Sequence, residues 1–169
     1  MKTVFFVYIF LILFIEVSHQ QNDWYTFDTE LPFNGVIEIN SPPSISGTYD
    51  GFPVWGFFPT PFTALSGKVQ VATPKDACSP LLSNHTGKFC LVESGKCDVV
   101  VMTRNCQNAG AIATLVQVSA YLLAQNAPDG WTTTQMSQIP AMQITYEFGG
   151  MLAENSVNNT VELTIPFST

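Results

Sequence analysis

Positive charge is scarce in this chain: six Lys and Arg residues face thirteen Asp and Glu, for a formal net charge of −7. A surface of that sign repels phosphate backbones and anionic headgroups, which argues against nucleic-acid binding and peripheral membrane attachment. Histidine is scarcer still, with only His19 and His85. A serine hydrolase needs a base as well as a nucleophile and an orienting acid. Neither histidine suits that role, since one lies at the expected end of a leader segment and the other inside a glycosylation sequon. There is no Gly-x-Ser-x-Gly elbow, phosphate-cradling glycine loop or metal-binding helix. The cysteines form no close C-x-x-C pair, so neither a metal nor another cofactor is expected. Glu93 and Asp98 come nearest to a glycosidase couple, but Asp98 is already explained as a helix cap. No catalytic residue is assigned, and no internal repeat is visible.

What the chain does have begins at its N-terminus. Lys2 is followed by the apolar run Thr3 to Ile15, which Glu16 ends. That is the charged start and hydrophobic length of a secretory signal peptide, too short to span a bilayer comfortably. Cleavage is expected between Ser18 and Gln21, so residues 1–20 leave, 21–35 form a polar lead-in, and 36–169 form one domain. Removing Lys2 and Glu16 together keeps the charge at −7. No later run reaches transmembrane length, and no membrane attachment is expected after cleavage. Four cysteines bound for an oxidising compartment read better as disulfides than as ligands or nucleophiles. The sequons Asn84-His85-Thr86 and Asn158-Asn159-Thr160 sit in polar turns between apolar runs, which makes Asn84 and Asn158 the expected glycan acceptors. The expected location is extracellular or an endolysosomal lumen.

The most informative stretch is Gly87 to Gln117. Lys88 to Glu93 carries Phe89, Cys90, Leu91 and Val92 and reads as a strand stopped by Ser94-Gly95-Lys96. Asp98 is placed to cap a helix, accepting from the free N–H of Val100 or Val101. Val99, Met102, Cys106 and Ala109 then make one buried helical stripe. Gly110 supplies a left-handed stop, and Ala111 to Val116 reads as a strand buried on both faces. The whole has the size of one right-handed βαβ unit with parallel strands. Its turn lacks the repeated glycines of a dinucleotide site.

Around this spine, Val36, Ile37 and Ile39 start a strand closed by Ser41-Pro42-Pro43. Phe52, Trp55, Phe57 and Phe58 are interleaved with Gly and Pro, giving short strands and turns. These aromatics either close one end of a β-rich core or stay exposed as a binding patch. Lys68 to Ala72 alternates as a half-buried strand, and Pro74-Lys75-Asp76 ends it. Ser119 to Ala127 is a short helix or a loop, and Pro128-Asp129-Gly130 is a turn. Ile139 to Ile144 reads as a strand that Pro140 confines to an edge or a start. Thr145 can cap a second helix, Tyr146 to Glu154, with Phe148 and Leu152 facing inward. Gly149 and Gly150 inside it imply close packing. A last strand runs through Val161, Leu163 and Ile165, approached by a turn at Asn158-Asn159.

In order and spacing, several segments resemble the protease-associated (PA) domain family. They are Asp76-Ala77-Cys78-Ser79-Pro80-Leu81, Gly87-Lys88-Phe89-Cys90-Leu91-Val92, Gly95-Lys96-Cys97, Arg104-Asn105-Cys106-Gln107-Asn108-Ala109-Gly110-Ala111 and Ile139-Pro140-Ala141-Met142-Gln143-Ile144. The resemblance covers Val36 to Ile165. It implies an α/β fold of the swivelling β/β/α kind, an open barrel-like β-core with two flanking helices. It also implies a non-catalytic module that binds a protein or peptide, or else one that acts in trans as a lid-like regulator of a secreted or lysosomal peptidase. Cys78 and Cys97 occupy the family's usual cysteine positions, which implies that they pair. Cys90 and Cys106 stand where the family has aliphatic residues, one on a central strand and one on the helix over it. They form either a second disulfide or two buried thiols. Where the family has Arg-Gly before the second cysteine, this chain has Ser94-Gly95, and Val101 and Met102 replace its usual helical lysine.

Overall fold

A computed structural model of the chain describes residues 35–54, 64–118 and 137–166. The signal segment 1–20, the lead-in up to residue 34, Trp55, Phe57 and Phe58, and the readings of 119–127 and of the turn at 128–130 lie outside the described residues. In chain order the strands are β1 (Val36–Ser41), β2 (Gly47–Asp50), β3 (Phe52–Pro53), β4 (Leu65–Val71), β5 (Lys88–Glu93), β6 (Ala113–Val118), β7 (Ala141–Thr145) and β8 (Glu162–Ile165). Helix α1 (Val99–Asn108) joins β5 to β6, and α2 (Tyr146–Asn158) follows β7.

Every side chain of β5 from Phe89 to Val92 is buried, which a strand achieves only when both faces of its sheet are covered. Phe89 and Leu91 point into one apolar cluster with Leu115, Ile144, Phe148 and Leu152. Cys90 and Val92 point into a second with Val99, Val100, Met102 and Cys106. The helices therefore cover opposite faces, α1 on one and α2 on the other. Ring stacking of Phe148 on Tyr49, with centroids 4.5 Å apart, fixes α2 from the β2 side as well.

Strands β4, β5, β6 and β7 run parallel in that spatial order. Antiparallel β8 and β1 continue the sheet beyond β4, with β2 at that end, while antiparallel β3 lies against β7 at the other. Only Gly51 separates β2 from β3 in sequence, yet they are the two ends of the eight-stranded sheet. The sheet must curl until its ends nearly meet, and the first cluster fills its concave side. This is the open barrel-like core with two flanking helices that the family resemblance implies.

Both caps form as read. Asp98 accepts from the Val100 N–H at 3.0 Å and Thr145 from the Phe148 N–H at 3.2 Å. Gly110 takes a φ of +88°, and a Cβ there would lie 2.8 Å from the Thr86 hydroxyl, so conformation and space both demand glycine.

Several boundaries move, each for a local reason. Strand β4 starts at Leu65 because β8 pairs with Leu65 to Lys68 from the other side. Strand β7 starts after Pro140, which has no N–H to give a ladder. Strand β6 is displaced two residues onward, since the Ala111 N–H still bonds back to Cys106 in the helix end. Ala109 is half-buried at the cap of α1, and Val100 and Thr103 join the buried stripe instead. Helix α2 runs to Asn158, its backbone ladder continuing to the Asn159 N–H, which donates to the Asn155 carbonyl at 2.9 Å. Asn158 thus ends a helix rather than standing in a turn.

The two glycines of α2 differ. A Cβ on Gly149 would lie 2.6 Å from Cγ of Gln117, whereas one on Gly150 would meet nothing within 4 Å. Close packing explains the first and not the second. Gly150→Ala should stabilise the chain by about 0.5–1 kcal/mol through helix propensity. Gly149→Ala should destabilise it by about 1–3 kcal/mol through overpacking. Urea denaturation of both variants measures the opposite signs.

Candidate functional site

The two faces of the sheet differ at the carboxyl ends of the parallel strands. On the α1 face, Val92, Val116, Gln143 and Phe52 stand in register across β5, β6, β7 and β3, so their side chains share one side. Helix α1 packs over β5 and β6 and leaves a cleft of about 420 Å3 toward β7. Its wall is Val99 and Met102 of α1 with Val116 and Val118 of β6, its far side is Gln143 of β7, and its rim is the turn Ser94 to Asp98. Open α/β sheets bind ligands at this end of the strands, where loops diverge and helix N-termini point.

The rim is held in place by several independent ties. Cys78 and Cys97 lie at disulfide distance, 2.05 Å, pinning the turn to the loop after β4. Cys90 and Cys106, 2.15 Å apart, fix α1 to β5 from beneath. Of the two alternatives for that second pair, the structure takes the bonded one. Asp76 accepts from Lys96 Nζ at 2.8 Å and from the Cys78 N–H at 3.2 Å. Lys96 and that backbone N–H hold the Asp76 carboxyl below the usual carboxylate range, and Asp76 in turn raises Lys96. Lys75 meets Glu93 at 3.2 Å, and the Ser94 N–H donates to the Gln117 carbonyl at 2.9 Å. The rim's lysine and acids are thus matched with partners.

Two polar groups of the cleft make no hydrogen bond among the described residues. Gln143 is only 7% exposed and its amide makes no hydrogen bond among the described residues, and the Ser94 hydroxyl is buried and unpaired. Gln117, the equivalent glutamine on β6, faces the other way and donates to the Tyr146 carbonyl at 2.8 Å. Phe52, next to Gln143 on β3, is 55% exposed. Of the four aromatics read as a patch, Phe52 therefore lies beside the cleft, and Trp55, Phe57 and Phe58 fall outside the described residues. Sequence reading did not single out Gln143. The available signal was an amide inside the otherwise apolar Ala141-Met142-Gln143-Ile144, a strand needing both faces buried.

Asn84 and Asn158 are both exposed, at the start of β5 and the end of α2. Asn84 Oδ1 accepts from the Thr86 N–H at 2.9 Å and the Thr86 hydroxyl at 2.6 Å. Between them His85 is fully buried, sharing a 2.8 Å hydrogen bond with Ser83 and leaving Nδ1 unpaired. Among the described residues, no group of three or more His, Cys, Asp or Glu stands close enough to hold a metal ion.

A curled mixed sheet with a helix on each face and a cleft at the carboxyl ends of its parallel strands defines an α/β module. The PA domain family model matches residues 65–152, more than half of the chain, and the chain belongs to that family. Signal peptide peptidase-like 2 of Arabidopsis thaliana is 29% identical over 89 residues, 53% of this chain but only 16% of that protein. Among solved structures, an aminopeptidase from Aneurinibacillus sp. strain AM-1 is similar at TM-score 0.56 and 18% identity, covering 79% of this chain and 30% of its own. BSAP, a zinc aminopeptidase from Bacillus subtilis, is similar at TM-score 0.54 and 17% identity, covering 78% and 29%. The chain thus spans less than a third of each of these proteins, and the structural likeness is one of fold.

Burial is the main reason the His85 ring resists protonation, with the nearby Lys88 charge adding to it, so its pKa lies below the ordinary histidine value. The unfolded chain then binds the proton more readily, so stability is full above the unfolded pKa and falls as pH drops below about 6.5. His85→Gln should flatten the decline expected below about pH 6.5, as urea denaturation at a series of pH values would measure. An equal slope in both chains would mean that His85 does not contribute.

Proposed function

We propose that this chain is a non-catalytic protein- or peptide-binding module of the PA type, exported through its N-terminal signal segment to the cell exterior or an endolysosomal lumen. The observation that carries the reading is the cleft beside α1. It has a size suited to a few residues of a ligand, walls that are mostly apolar, and a largely buried glutamine, Gln143, whose amide makes no hydrogen bond among the described residues. A preorganised rim lowers the ordering cost of binding, and the tied Ser94–Asp98 turn supplies one.

Two cysteine pairs at disulfide distance suit an oxidising compartment. Among the described residues no helix is long and apolar enough to cross a membrane. The exposed Asn84 and Asn158 are, in this reading, N-glycan acceptors. Asn84 lies at the amino end of β5, away from the cleft at its carboxyl end, so a glycan there leaves the cleft open.

Affinity capture with the full chain from the secretions of its own cells tests the proposal. Val118 is half-buried in the cleft wall at the margin of the second cluster, so Val118→Asp puts a charge there without entering the fully buried core, and an unchanged far-UV circular dichroism spectrum checks that the variant folds. The expected result is recovery of one or more proteins whose yield Val118→Asp lowers at least tenfold. A single peptidase recovered in stoichiometric amount would favour the in-trans regulator over a receptor-like role. Hydrolase activity of the purified chain, abolished by one point substitution, would contradict the proposal.

A further inference from the structure

The cleft's charge pattern and its unpaired groups narrow what it selects. A ligand carboxylate would need an uncommitted cation, but the rim's Lys96 is 2.8 Å from Asp76 and already compensated. The positive end of α1 is engaged by Asp98, which accepts from the Val100 N–H. A ligand ammonium would need an uncommitted carboxylate, and burying it against Val116 and Met102 would cost its hydration. The overall charge of −7 would speed a cation's approach without giving it a partner at the bottom of the cleft.

What is left over is neutral. Gln143, 7% exposed, lines the cleft, and its amide makes no hydrogen bond among the described residues, so a donor and an acceptor are available there, the complement of one peptide unit. Ser94, also unpaired, stands on the opposite rim. Between them Met102, Val116 and Val118 offer an apolar wall.

Resting on the binding role proposed above, we infer that the cleft selects a neutral, extended peptide segment. One aliphatic or methionine side chain of that segment packs on the wall, and its backbone bonds to the Gln143 amide.

Panning a random dodecapeptide phage library on the full chain, then measuring synthetic hits by fluorescence polarisation, tests this. Enriched peptides should share an uncharged stretch around Leu, Ile, Val or Met, and replacing that residue by Asp or Lys should weaken binding at least tenfold. Gln143→Leu, which removes an unpaired amide at little change in volume, should leave the melting temperature the same or higher and weaken binding about tenfold. Enrichment of acidic or basic peptides in the same cleft, abolished by Val118→Asp but indifferent to Gln143→Leu, would overturn the selectivity and leave the binding role standing. Failure to enrich any peptide sensitive to Val118→Asp would overturn both.

Discussion

A strand buried on both faces constrains everything around it. From Phe89 to Val92 strand β5 shows no side chain to water, so each alternate pair needs its own apolar layer. Helix α1 supplies one layer and α2, inside the curl of the sheet, supplies the other. Because β2 and β3 are joined by Gly51 alone, the sheet cannot open flat without pulling an end strand from β1 or β7. Two cores and one curled sheet are therefore a single arrangement rather than separable parts.

That arrangement decides where a cleft can form. Parallel strands joined by a crossover helix leave their carboxyl ends facing the loops. Helix α1 shields β5 and β6 but stops short of β7, so Gln143 is left at the edge of the cover, its amide bonding to none of the described residues. The rim is made rigid by the Cys78–Cys97 tie and the Asp76–Lys96 pair rather than by packing. The wall is core material, held by the same layer that includes Cys90 and Cys106. A rigid wall under a tied turn is suited to recognition by shape and neutral hydrogen bonds, and its charges are spent on its own geometry.

Features governed by neighbouring residues were legible in the sequence. The caps at Asp98 and Thr145, the stop at Gly110 and the paired strands around α1 each depend on chemistry within a few positions. The family motifs added the swivelling fold. The rest required contacts distant in sequence. Strand β4 gains three residues only because β8 lies beside it, and the close approach that explains Gly149 comes from Gln117 on another strand. The cleft was least legible, since it exists only once the register Val92, Val116, Gln143, Phe52 is formed. Nothing local separates Gln143, which faces the cleft, from Gln117, which bonds to α2.

The chain belongs to the PA domain family, and its fold is shared with part of each of two larger aminopeptidases. The central claim is that its own recognition surface is the cleft between α1 and β7. Hydrogen–deuterium exchange of the full chain, with and without its captured partner, tests that claim most directly. The account predicts slowed exchange in 94–102, 116–118 and 142–144 on binding, with the loop 83–88 unchanged. Protection confined to the 83–88 loop or to the β1–β2 end of the sheet, with the cleft unaffected, would contradict it.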